Sequence, residues 1–159
     1  DSGKTPNVAG EATASADVDV HVDAGAVLRS SDSNIVIESL STDVAKSRPF
    51  GTAIALLAGF GATKAEATAD GSSQVRMNGS VGSVGTSGAT SLAVTARGQS
   101  LSDAKAEALS GGIVGAGSAA ITAATSHGTV KATLGGSQTI RVEGDIDIAA
   151  VSIGDADAV

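Results

Sequence analysis

Five aspartates in short alternation are the first residues in this sequence with the chemistry to hold a ligand. Asp17, Asp19 and Asp23 lie in one segment, Asp145 and Asp147 in another. Residues two apart on an extended strand share a face, so each pair offers carboxylate oxygens in the manner of a Ca²⁺ site. A solvated outer face that keeps strand edges soluble produces the same pattern. The Gly-Gly-x-Gly-x-Asp nonapeptide of calcium β-rolls is absent. No cofactor is therefore expected, with Ca²⁺ on these surface aspartates as the one metal reading. His21 and His127 have no Cys partner and no neighbouring His, so they form no zinc pattern. Ser2-Gly3-Lys4-Thr5 has the ending of a phosphate-binding loop, without the upstream Gly, strand and helix that such a loop needs. Arg29, Arg48, Arg76, Arg97 and Arg141 stand singly.

Composition narrows the chemistry further. The 159 residues include 21 Gly and 30 Ala, with no Cys, Trp or Tyr, and Phe50 and Phe60 are the only aromatics. The cysteine count excludes a disulfide scaffold, thiol chemistry and a Cys-based zinc site. Pro6 and Pro49 are the only prolines, far too few for collagen. Sugar-cleaving β-helix enzymes combine carboxylates with basic groups and stack sugar rings on aromatic side chains, which this sequence lacks. It is not expected to be an enzyme. A net charge of −7 and so few rings argue against nucleic acid as a partner. The longest apolar stretch, Ala53 to Ala62, is about half of what crosses a bilayer, so no membrane insertion is expected. No basic start followed by an apolar core opens the sequence. At 42% hydrophobic and 17% charged, the chain is too apolar for disorder by composition.

The elements that carry these residues recur. Segments beginning at Asp17, Gln74 and Thr129, evenly spaced along the chain, each alternate apolar and polar positions. After a Gly/Ser-rich turn, a second alternating strand follows each one, at Asn34–Glu38, Ser91–Thr95 and Asp145–Ala149. Asp43-Val44-Ala45-Lys46, Asp103-Ala104-Lys105-Ala106 and Asp155-Ala156-Asp157-Ala158 come next. Val18, Val20 and Val22 alternate with Asp17, Asp19 and His21, the period of a half-buried strand, and Ile146 and Ile148 alternate with aspartates likewise. Ala24-Gly25, Asp70-Gly71, Asn78-Gly79, Gly135-Gly136 and Gly144-Asp145 read as tight corners. Leu101 to Leu109 also admits a helix.

Short strands, small side chains, Gly corners and a long repeat predict an all-β fold. The form expected is a right-handed parallel β-solenoid (β-helix) of about three degenerate repeats of roughly 56 residues, stacked in ladders. The chain reads as a single unit over 1–159, with approximate repeats 1–50, 51–108 and 109–159. A coil of roughly 18 to 28 residues gives about six to eight coils and a rod on the order of 30 to 40 Å long. Thr residues are too scattered for the flat array of an ice-binding solenoid.

Two stretches, Gly51 to Ala62 and Gly111 to Ile121, are apolar on both strand faces. Either a wider coil or a buried helix covers them internally, or they form an apolar stripe outside the rod. The second case predicts association, with Ile54, Leu56, Phe60, Ile113, Val114 and Ile121 as the assembly interface.

The segment from Gly111 to Val159 resembles the repeats of very large bacterial surface adhesins of the filamentous-haemagglutinin-like and leukotoxin-type group. The shared order is a Gly/Ala/Val stretch, a short strand, a Gly turn, Gly144-Asp145-Ile146-Asp147-Ile148-Ala149, and an Ala-rich strand. Residues 51–108 follow it more loosely, with a longer turn from Gly79 to Gly88, and the first repeat follows it from about Ala12. The resemblance implies an extracellular, bacterial cell-surface stalk or fibre without catalytic residues. Neighbouring repeats, or a receptor on a host or cell surface, would be its partners. Asp155 to Val159 closes in pattern, which predicts either a stretch of a longer protein or a filament subunit that self-associates end to end or through its apolar strands.

Overall fold

The computed structural model describes residues 7–55, 58–136 and 138–159, and every regular element among them is a β-strand. In chain order these are β1 (Asn7–Ala14), β2 (Asp17–Val22), β3 (Val27–Leu28), β4 (Ile35–Ser47), β5 (Phe50–Ala55) and β6 (Ala58–Met77). The rest are β7 (Ser80–Val81), β8 (Leu92–Ala104), β9 (Glu107–Gly112), β10 (Gly115–Leu134) and β11 (Ile146–Ala158). The segment Leu101 to Leu109, which also suits a helix, is the end of β8 and the start of β9.

All pairings between these strands are parallel, and each joins positions one sequence repeat apart. β1 and β2 pair with β6, which pairs with β10 on its other edge; β8 lies between β4 and β11. β3 pairs with β7, and β5 with β9. Strand partners therefore lie a whole repeat apart. Among the described residues no ladder joins positions at the shorter spacing of roughly 18 to 28 residues expected for a coil. Asp70-Gly71 is not a corner but lies inside β6. A Cβ at Gly71 would overlap the Asp43 carboxylate, so glycine is there to admit a side chain from the facing sheet. Gly82 is a true turn residue, with φ +77° and no room for a Cβ against the backbone of Gly88.

The register also adjusts the landmarks. Gln74 stands between Asp19 and Lys131, and Asp103 stands between Lys46 and Asp157. The Ile35, Leu92 and Ile146 landmarks stack as the sequence aligns them.

The long β6 sheet packs over the β4–β8–β11 sheet with its C-terminal half and over the β5–β9 pair with its N-terminal half. The interior tapers between them. At the wide end Ile37, Val75, Met77, Val81, Leu92 and Val94 form a core of ordinary bulk. Farther along, Ala45, Ala65, Ala67, Ala69 and Ala104 fill a thinner layer. At the margin Gly51 faces Thr63 and Ala53 faces Gly61, where a Cβ would lie 3.2 Å from that of Ala53. A thin interior brings hydroxyls within reach of the opposite sheet, which is why serine is buried here. Ser39 and Ser73 share a 2.7 Å hydrogen bond between β4 and β6, and Ser47 Oγ donates to the Gly10 carbonyl at 2.8 Å. The low average residue size thus reflects two closely spaced sheets.

Rungs stacked about 4.8 Å apart put the first and third ladders roughly 10 Å apart, whereas a twenty-residue strand runs about 66 Å. Three stacked strands therefore span far less across the ladder than one twenty-residue strand spans along its length.

Candidate assembly interface

Strand alternation decides where the expected interface residues go. In β5, Gly51 and Ala53 point inward, so Thr52 and Ile54 point out, and Ile54 is 83% exposed. In β6, Gly59 and Gly61 point inward and Phe60 outward. The inward faces of β5 and β6 meet, so Ile54 and Phe60 lie on opposite outer faces of the thin margin. Phe60 lies beside Gly117 of the next rung, where a Cβ would come within 2.9 Å of the ring. Ile121 is outward on β10 beside Lys64. Ile113 and Val114, 79% and 77% exposed, occupy the turn from β9 to β10. Leu56 lies outside the described residues. The first apolar stretch thus has small residues, Gly51, Ala53, Gly59 and Gly61, turned inward and a face left to solvent. In the second, Ala116, Ser118 and Ala120 take the inward positions beside Gly59, Gly61 and Thr63 but stay exposed, and among the described residues neither stretch is a buried helix. Phe50 and Leu109 join Ile54 on its face, which the reading of the two stretches alone omits.

A second exposed apolar set comes from the last rung. Leu92 and Val94, inward on β8, are 1% and 0% exposed. Their ladder partners on β11, Ile146 and Ile148, are 47% and 45% exposed. They occupy the ladder positions of Leu92 and Val94, but among the described residues no further strand pairs with them. On the outer face of the same sheet, Val36, Leu40, Val44, Val151 and Ile153 are exposed as well. The alternation in Ile35–Ser47 signals the β4 members of this set; the exposure of Ile146 and Ile148 follows only from the register.

Charged and polar side chains bridge neighbouring rungs on the outside. Arg97 Nε lies 3.2 Å from Glu38 Oε1, and Arg76 Nη2 lies 3.5 Å from Asp19 Oδ2. Arg48 donates to Asp103 at 2.5 Å, and Ser72 Oγ donates to Asp17 at 2.8 Å. The Arg48 hydrogen bond holds the Asp103 carboxyl below its ordinary value, with desolvation opposing and the charges of Lys46 and Lys105 assisting. Glu107 is likewise lowered, first by its hydrogen bond from Lys105. His21 lies 3.7 Å from Asp23. Among the described residues no three His, Cys, Asp or Glu side chains converge as a metal cage. Asp17 and Asp19 engage the neighbouring rung, and the five arginines do not converge.

No protein-family model, curated protein or solved structure matches this chain.

Among the described residues, apolar side chains lie on open faces, ladder edges are unpaired on the outer sides of the first and third rungs, and ordered charges flank them.

Proposed function

We propose that this chain is a structural module of an extracellular bacterial fibre, built as a right-handed parallel β-solenoid and mechanical rather than catalytic in its action. The observation that carries this reading is the register. Parallel ladders that advance by one repeat per rung are the geometry of a coil stacked along an axis. Parallel crossovers within one sheet are right-handed in nearly all proteins, which sets the expected hand. The resemblance of Gly111 to Val159 to adhesin repeats supports a place at the cell surface, as stalk or adhesive fibre, with a host or cell-surface receptor as a partner.

Two forms of fibre differ in where length comes from. In an adhesin stalk it comes from residues, in a filament subunit from copies. At one rung of about 55 residues per 4.8 Å, a 100 Å stalk takes over about 1,100 residues, two to three times the need of smaller coils. That cost favours the second form, in which identical chains stack.

Chains of one, two and three tandem copies test the shared reading by small-angle scattering. The expected result is a constant cross-section and a height that grows by about 14 Å per copy. Growth of the radius of gyration like beads on a flexible string would overturn it.

A further inference from the structure

We infer that the third rung of one chain receives the first rung of a second copy, in the same register that joins the rungs within the chain. This rests on the fibre-module reading and specifies the partner and its alignment. Following the ladders through the middle rung fixes which residues meet. Ile146 and Ile148 of one copy come against Ile35 and Ile37 of the next, and Leu134 against Val22. On the outer face Val151 comes against Leu40. The exposed core side chains of the last rung thereby gain the cover that Leu92 and Val94 already have.

The charges select this register. Gln74 separates Asp19 from Lys131, so a second copy brings Lys131 against Asp19. Asp103 separates Lys46 from Asp157, so the same step brings Asp157 against Lys46. Within one chain Asp157 has the like-charged Asp103 beside it; a second copy supplies its cation. No like charges meet along β1, β2 and β4, where Glu38 meets Ala149, Asp43 meets Gly154 and Glu11 meets Ala123. A slip of one residue would turn every inward side chain outward. The contact joins two different surfaces by a step along the stacking axis, so it does not close on itself and propagates into a filament.

Two charge-swapped chains test the docking. The first carries Lys131→Asp and Asp157→Lys on its third rung; the second carries Asp19→Lys and Lys46→Asp on its first. Circular dichroism confirms that each folds, and if Lys46→Asp, placed beside Asp103, unfolds the second chain, the single swaps Lys131→Asp and Asp19→Lys replace the first and second chains. Sedimentation and negative-stain microscopy then read assembly. The expected result is filaments from the wild type and monomers from either swapped chain. An equimolar mixture should restore filaments, because each swapped rung meets its complement. Swapped chains that assemble alone as the wild type does would overturn the proposal. So would assembly that Ile54→Asp with Ile121→Asp abolishes and the swaps leave intact. A monomeric wild type would overturn it too. If Thr42→Cys with Gln99→Cys still forms its disulfide, the docking alone fails; if not, the fibre-module reading fails with it.

Discussion

Ile35, Leu92 and Ile146 occupy one ladder position on three successive rungs, so truncating each measures how much the stack above and below contributes. Leu92 is 1% exposed and touches neighbours on both sides, and its replacement by Ala leaves a closed cavity. Such truncations cost about 2–5 kcal/mol. Ile146 points into the same core but is 47% exposed, so about half of its transfer term is already lost and no closed cavity remains. Its truncation should cost roughly 1–1.5 kcal/mol by the usual area scale. With a urea slope of about 1–3 kcal/mol per molar, Leu92→Ala should lower the midpoint by about 1–2 M, and Ile146→Ala by a third of that or less. The chain has no Trp or Tyr, so far-ultraviolet circular dichroism is the assay, at concentrations where the wild type is monomeric. Ile35→Ala, half-buried at the first rung, should fall between the two. Equal losses at Leu92 and Ile146 would refute the stacking order.

Two further predictions concern the thin interior and its outer charges. Ala67→Leu places three extra carbons between sheets separated by alanine and serine, and should destabilise by about 1–3 kcal/mol or more in the same urea assay. Because the folded Asp103 carboxyl lies below its ordinary value of 3.8, its ion pair stabilises the fold above that pH and is lost as pH falls through the depressed value. Asp103→Asn should flatten the decline of the unfolding temperature on acidification from pH 5, and wild type and variant should converge at the acid end.

Strand type was legible in the sequence because Val18, Val20, Val22 and Ile146, Ile148 alternate with charges, and alternation reports a half-buried face directly. The repeat was legible as well, since ladder partners such as Ile35 and Leu92 lie one repeat apart. The size of a circuit was not. Asp70-Gly71 looks like a corner in the sequence, yet Gly71 lies within β6, where the facing Asp43 side chain leaves no room for a Cβ. Asp43 against Gly71 is a contact between two different sheets, and no local pattern announces it. The apolar stretches were ambiguous for a related reason. Alternating Gly and Ala with Ile or Phe gives two apolar faces, and only the opposing sheet shows that the small residues turn inward. The exposure of Ile146 and Ile148 depends on which rung they occupy, which neither residue type nor spacing encodes.

Disulfide trapping tests most directly whether one circuit equals one repeat. The chain has no cysteine of its own, and Thr42 and Gln99 lie side by side on the outer face of neighbouring rungs. Parallel partners about 4.8 Å apart suit the Cα separation of a disulfide, roughly 4.4–6.8 Å. Rapid, near-complete oxidation of Thr42→Cys with Gln99→Cys is expected, and none of Thr42→Cys with Lys64→Cys, a pair on different sheets. Oxidation of the second pair in preference to the first would contradict a circuit of one repeat.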